Sequence, residues 1–123
     1  MTPQEIFDTV VRHLYAQGEQ AVTAYGACRY RTRTGLKCAV GCLIADEDYQ
    51  ESMEGNLSVL LAHYTNKPSI AALVQHYYLL ADLQLAHDSD ENWASPERMR
   101  HDLRRVAEQH KLSYAIVDEV AKQ

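Results

Sequence analysis

The sequence contains no apolar run long enough to cross a bilayer, and its first residues show no basic segment followed by an apolar one. We therefore expect neither a membrane partner nor a secretory signal. Cysteine is scarce, and the three cysteines are an odd number that does not suggest a disulfide framework. Reduced thiols and a cytoplasmic location are the expectation, with at least two of the thiols buried.

The sequence also has fewer basic than acidic residues, with 12 Lys and Arg and 17 Asp and Glu, which gives a net charge of -5. A general nucleic-acid binder needs a cationic surface, so nucleic acid is an unlikely partner for the chain as a whole. No repeat, low-complexity tract or linker interrupts the sequence, and we predict a single globular domain over residues 1–123.

Helical signals dominate what is present. Thr2, Pro3 and Glu5 form a capping box with proline at the first helical position, and Gly18 is a natural stop. The fold class that we predict is mainly α, a compact domain of five or six helices with a short β-hairpin near residues 28–38. The further helices are expected at about 39–46, 57–64, 68–87, 97–110 and 114–121, with a polar loop at 88–95.

One segment, Gly26 to Gly55, differs from the rest. It packs four cations (Arg29, Arg31, Arg33 and Lys37) in front of the small-residue apolar run Cys38 to Ile44. A basic loop that leads into a helix N-terminus predicts an anion site, because guanidinium groups and free backbone N–H groups would point at the same ligand. The predicted ligand-binding residues are Arg29, Tyr30, Arg31, Lys37, Cys38, Ala39 and Gly41. The alternative is that these cations only pair with the nearby acidic residues Asp46, Glu47, Asp48, Glu51 and Glu54.

Gly41 lies inside the predicted motif helix, where glycine is unfavourable. We therefore expect it at a close crossing with another helix.

Cys38 has a second interpretation. A cysteine at a helix N-terminus is similar to the nucleophile of papain-like hydrolases, and His87 with Asp88 would supply base and partner. The helical pattern downstream does not match that architecture, so catalysis by Cys38, His87 and Asp88 is kept as an alternative. Cys28, Cys38, Cys42 and His87 also include metal-ligand types, but no closely spaced pair occurs, so we predict neither a metal site nor a cofactor.

The pattern C-x-Y-R, G-L-K-C-A-V-G-C-L-I, D-x-x-Y, E-G resembles a family of small uncharacterised proteins of bacteria, phages and prophages. The residues that carry it are Cys28, Tyr30, Arg31, Gly35, Leu36, Lys37, Cys38 to Ile44, Asp46, Tyr49, Glu54 and Gly55. A later L-Q-x-x-H-D, Leu83 to Asp88, is similar to the same family, and the likeness spans roughly residues 4–110. The resemblance implies a mobile-element protein that works in a bacterial cytoplasm.

The resulting hypothesis is a non-enzymatic binding protein of phage or prophage type. Its ligand would be a nucleotide-like anion, or its partner a host protein, and binding would counteract a bacterial defence. A cysteine-dependent hydrolase or transferase is the first alternative, and a structural or toxin–antitoxin interaction protein is the second. The oligomeric state stays open.

Overall fold

The computed structural model describes residues 1–122. Within these residues seven α-helices and three short 3-10 turns form, and no strand does. The helices are α1 (Pro3–Gln17), α2 (Leu57–His63), α3 (Pro68–Ala71), α4 (Tyr77–Asp88), α5 (Asp90–Ala94), α6 (Pro96–Gln109) and α7 (Ala115–Ala121). The mainly α prediction is confirmed. None of the described helices combines the length and the apolarity that a bilayer-spanning segment needs.

The first helix begins and ends where the sequence predicts. The Thr2 hydroxyl accepts from the Glu5 amide, the Glu5 carboxylate accepts from the Thr2 amide, and Gly18 ends the helix in the left-handed conformation. Its buried face packs against α4 and α7, while α6 packs on both of those helices. The fully buried side chains of this core include Phe7, Leu14, Leu80, Leu83, Leu103 and Val117.

The predicted β-hairpin at 28–38 is not present in the described chain. Its place is taken by an irregular segment with two isolated bridges, Val22 with Cys28 and Arg31 with Lys37. The reason is that side chains take the backbone donors that would extend the ladder on either side of the Arg31–Lys37 bridge. The Glu54 carboxylate accepts from the amide of Tyr30, and the Thr32 hydroxyl accepts from the amide of Leu36.

Two helix predictions are also wrong in extent. The helix predicted at 39–46 is a single 3-10 turn, Gly41–Leu43. It stops there because the Ile44 carbonyl accepts from Arg31 and the Ala45 amide donates to Ser69.

The helix predicted over 68–87 is broken into α3, a 3-10 turn at Val74–His76, and α4. The break lets Ile70 and Leu73 stay buried while Val74 and Tyr77 turn outward. The predicted loop at 88–95 contains α5, which the Ser89 side chain caps.

Gly41 lies at a close crossing, as predicted, but the partner is not a helix. A Cβ added to Gly41 would lie 1.9 Å from the carbonyl oxygen of Tyr30 and 2.7 Å from its carbonyl carbon. Backbone atoms cannot move aside as a side chain can. The absence of a side chain at Gly41 therefore allows the 3-10 turn to pack directly on the chain at Tyr30.

Asp48 fixes the start of α3. Its Oδ2 accepts from the Ser69 amide at 3.0 Å and from the Ser69 hydroxyl at 2.6 Å. These two hydrogen bonds lower the pKa of Asp48 below its ordinary value of 3.8. The buried carboxylate thus joins the loop after the motif to the helix that follows it.

We expect Gly41→Ala to destabilise the protein by more than about 2 kcal/mol, because the new methyl group overlaps backbone atoms. The comparison variant is Gly35→Ala, where the added Cβ meets nothing within 4 Å but φ is 95°. It should cost about 1–2 kcal/mol from backbone strain alone. Chemical denaturation gives both values. Without the overlap, alanine at Gly41 would be neutral or stabilising, and that result would contradict the packing described here.

Stability should fall as the pH is lowered through the aspartate range, with Asp48 as one contributor. Because the folded-state pKa of Asp48 is depressed, its contribution is complete above the unfolded-state pKa near 4 and is lost below it. Asp48→Asn should therefore show a shallower loss of stability between pH 5 and about pH 2 than the wild type. Glu47→Gln is the control, since this neighbouring side chain is exposed and accepts no hydrogen bond from residues 1–122. Equal slopes for the wild type and Asp48→Asn would contradict the role assigned to Asp48.

Candidate functional site

The cations of the motif segment line one concave surface, which we call the cationic cleft. Its volume is about 300 Å³. Its lining consists of Arg29, Arg31, Thr32, Arg33, Gly35, Lys37, Tyr49 and Glu51. Four positive side chains thus face a single carboxylate in the lining. Three of them are residues that the sequence predicted for an anion site, and Arg33 and Tyr49 are additions.

Backbone carbonyls orient the two central guanidinium groups. Arg29 donates from Nε to the Arg31 carbonyl at 3.0 Å, and Arg31 donates from Nη2 to the Ile44 carbonyl at 2.5 Å. The Arg31 guanidinium also lies over the Tyr49 ring, 4.9 Å from its centroid. Both guanidinium groups are therefore positioned by contacts that do not depend on any acidic side chain.

Acidic side chains at the rim of the cleft form ion pairs with its cations. Arg29 pairs with Glu51 at 2.6 Å, Arg31 pairs with Asp46 at 2.8 Å, and Lys37 approaches Asp46 at 3.4 Å. The side chains of Glu51 and Asp46 are 71% and 80% exposed. The hydrogen bond from Arg31 and the charge of Lys37 lower the pKa of Asp46. Arg33 forms no ion pair within residues 1–122.

The other predicted ligand-binding residues, Tyr30, Cys38, Ala39 and Gly41, are buried and do not line the cleft. The amides expected to point at the ligand are already bonded within the protein. Val40 donates to the Gln84 side chain at 3.1 Å, and Gly41 donates to the Cys38 sulfur at 3.2 Å. The structure therefore brings together the cations, but the amides of Val40 and Gly41 below them are already used within the protein.

A second cluster forms where α4 ends. One ligand-type atom each from Cys28, His87 and Asp88 lies within 4.8 Å of the others. Cys28 and Asp88 line a separate pocket of about 440 Å³. The thiol that meets His87 and Asp88 is thus Cys28, whereas the sequence had suggested Cys38. No signal in the sequence separates these two cysteines, because the choice depends on how segment 19–44 folds back on α4.

Hydrogen bonding determines the tautomer of the neutral His87 ring. The Ala21 amide donates to Nε2 at 3.0 Å, so Nε2 must accept. The ring proton is then on Nδ1, which donates to the Asp88 carboxylate at 2.8 Å. Neither nitrogen has a free lone pair that could receive a proton from a thiol. Coordination of a metal at Nδ1 would require the ring proton to move to Nε2, where it would meet the N–H of Ala21. The cluster is therefore assembled for hydrogen bonding.

The Cys28 thiol is held in its protonated form. Partial burial, a hydrogen bond to Asp88 and the charge of Asp88 raise the pKa of Cys28 to about 12. Burial acts to raise the pKa of Asp88 as well, but hydrogen bonds from His87, Gln84 and Cys28 outweigh it and the net shift is downward. A carboxylate that accepts three donors is a poor base, so this arrangement does not generate a thiolate.

The remaining thiols are no better placed. Burial raises the pKa values of Cys38 and Cys42 to about 12. All three cysteines are free, with Cys38 buried, Cys42 half-buried and Cys28 exposed. Of the at least two buried thiols that the sequence led us to expect, only Cys38 is fully buried, and Cys42 is half-buried.

Comparison of the chain with protein-family models, curated proteins and solved structures finds no match. The function has to be argued from the residues and their geometry.

We expect Cys28 to react with iodoacetamide at pH 8 more than about tenfold more slowly in the folded protein than in the unfolded chain. The residue is exposed, but little of its thiol is in the thiolate form. Asp88→Asn should accelerate the reaction by about tenfold or more, since it removes a charge and keeps an acceptor for His87. Asp90→Asn is the control, because Asp90 acts on the thiol through charge alone. Peptide-resolved mass spectrometry measures each rate. A wild-type rate equal to that of the unfolded chain would contradict the raised pKa.

Proposed function

We propose that the protein is a non-enzymatic binding protein whose cationic cleft holds a phosphate-bearing small anion. The observation that supports it most strongly is the lining of the cleft, with Arg29, Arg31, Arg33 and Lys37 against Glu51. Guanidinium groups match the geometry of phosphate oxygens and can donate in pairs. A cleft of about 300 Å³ is at the lower end of ordinary small-ligand sites.

The acidic rim does not prevent this binding. An exposed ion pair stabilises a protein by only about 0–1 kcal/mol, so little free energy is lost when the Glu51 and Asp46 side chains turn away into solvent. A charge-assisted contact from arginine to a phosphate contributes about 1.5–3 kcal/mol. An incoming anion with two or more charges therefore outcompetes these two exposed carboxylates, while Glu54, 3.7 Å from Arg29, stays bonded to the amides of Tyr30 and Arg31. Arg29 and Arg31 keep their orientation when it does, because carbonyl groups of the backbone hold them.

The biological setting in this proposal comes from the resemblance to phage and prophage proteins. In an infected bacterial cytoplasm, a protein that sequesters a nucleotide-like anion would remove a signal on which a host defence depends. A host protein with an acidic surface is the other partner that the cleft suits, since the same guanidinium groups bind carboxylates. The geometry of Cys28, His87 and Asp88 favours binding over catalysis, because it lacks an available base.

Calorimetric titration with inorganic pyrophosphate and with nucleoside mono-, di- and triphosphates tests the proposal. We expect the wild type to bind at least one of these anions, and Arg33→Ala and Arg31→Ala each to weaken binding by about tenfold to a hundredfold. Arg33→Ala is the safer variant, because this exposed side chain has no ion pair to lose in residues 1–122. Binding should weaken as salt is added.

The matched control is Arg12→Ala. Arg12 is an exposed arginine that lies 3.9 Å from Glu119 and does not line the cleft. Its replacement should leave affinity unchanged. Thermal denaturation of every variant separates lost binding from lost folding. If the wild type binds none of these anions, or if Arg12→Ala weakens binding as much as Arg33→Ala, the cleft is not an anion site.

A further inference from the structure

A second groove continues from the cationic cleft, and we call it the tyrosine groove. It measures about 460 Å³ and shares Arg29, Thr32 and Arg33 with the cleft. Its own lining adds Val22, Thr23, Ala24, Tyr25 and Thr34, and it contains no acidic side chain. A ligand held by phosphate in the cleft would extend over small apolar and hydroxyl side chains that carry no charge beyond the two shared arginines, bordered by an aromatic ring.

Tyr25 is almost fully solvent-exposed, at 99%. Its backbone is nevertheless held in a compact turn. The Thr23 hydroxyl accepts from the amides of Tyr25 and Ala27, at 3.3 and 3.2 Å. The Thr23 carbonyl accepts from the Gly26 amide at 2.9 Å, and the Ala27 carbonyl accepts from the Thr23 amide at 2.8 Å. The turn thus fixes the backbone that carries the ring, although the ring itself buries no surface.

This combination suits a nucleotide. An aromatic ring offers a flat face on which any nucleobase stacks, and arginines beside it bind the phosphates. The folded state gains almost nothing from an aromatic ring that is 99% exposed, so an ordered turn that carries one is more useful for recognition than for stability. The excess of acidic residues over the whole chain disfavours a long polyanion and favours a single small one.

We propose that the ligand of the cationic cleft is a nucleotide whose base stacks on Tyr25 in the tyrosine groove. This inference rests on the proposed function, since the cleft must first bind phosphate. Tyr25 therefore determines specificity, distinguishing a nucleotide from a bare phosphate chain.

The test compares inorganic pyrophosphate with nucleoside diphosphates by calorimetry, in the wild type and in Tyr25→Leu, Tyr25→Phe and Tyr78→Leu. We expect the wild type to bind at least one nucleoside diphosphate about five- to a hundredfold more tightly than pyrophosphate. Tyr25→Leu should abolish this preference without changing the affinity for pyrophosphate, and Tyr25→Phe should keep it. Tyr78→Leu is the matched control, because Tyr78 is another exposed tyrosine, at 78%, and does not line either groove.

The outcomes separate the two proposals. If pyrophosphate and nucleoside diphosphates bind equally well, the cleft is an anion site and the inference about Tyr25 is wrong. If the preference survives Tyr25→Leu, the base lies elsewhere and the inference is again wrong. If none of these anions binds, both proposals fail together. If binding is seen only with an acidic protein partner, the inference is overturned in favour of a protein ligand.

Discussion

The buried imidazole of His87 joins the irregular segment between α1 and α2 to the helical core. Its Nε2 accepts from the Ala21 amide, and its Nδ1 donates to Asp88. The His87 carbonyl accepts from Gln20 at 3.2 Å and from Trp93 at 2.7 Å. A residue that is 0% exposed thus accepts from three donors, two in the segment after α1 and one in α5. Removing the ring would leave the Ala21 amide and Asp88 without these partners at the same time, which costs more than the loss of one contact.

Hydrogen bonds from backbone amides to buried or half-buried side chains also hold the candidate site in place. Gln84, one turn before His87, donates to Asp88 and accepts from the Val40 amide, so it ties the 3-10 turn to α4. Glu54 accepts from the amides of Tyr30 and Arg31 and from the Tyr49 hydroxyl. Arg31 therefore enters the cleft from a backbone that side chains have fixed. Gly41 completes this arrangement, because it lets the turn lie against the carbonyl of Tyr30.

The residues that could be predicted from sequence are those whose signals are local. The capping box at Thr2, the Asn56 cap of α2 and the Ser95 cap of α6 each lie within a few residues of the helix that they start. We call the side chains that accept from amides of the irregular segment the clamps, and they could not be predicted in this way. Glu54 accepts from amides that lie 24 and 23 positions away, and His87 accepts from the Ala21 amide across 66 positions. The predicted hairpin failed for the same reason. The Glu54 carboxylate, 24 positions away, accepts from the Tyr30 amide that a longer strand pair would have used.

The candidate site also combines residues that local sequence signals predict with residues that only the fold brings together. The cations Arg29, Arg31 and Lys37 were predicted from their spacing, and they do line one cleft. The predicted helix N-terminus beneath them was wrong, since the amides of Val40 and Gly41 bond to Gln84 and Cys38. Arg33, Tyr49 and Tyr25 joined the candidate surface only through the folding of the irregular segment. Without strands, nothing in the alternation of side chains could assign them to one face.

Native-state amide hydrogen exchange tests most directly whether side-chain clamps hold the irregular segment. The informative amides are those of Ala21, Tyr30, Arg31 and Val40, which donate to His87, Glu54 and Gln84 side chains. If the clamps hold, these four amides open with free energies close to those of the buried turns of α1 and α4. Exchange as fast as that of solvent-exposed loop amides would show that the clamps do not form, and the basis for an ordered cleft would be gone.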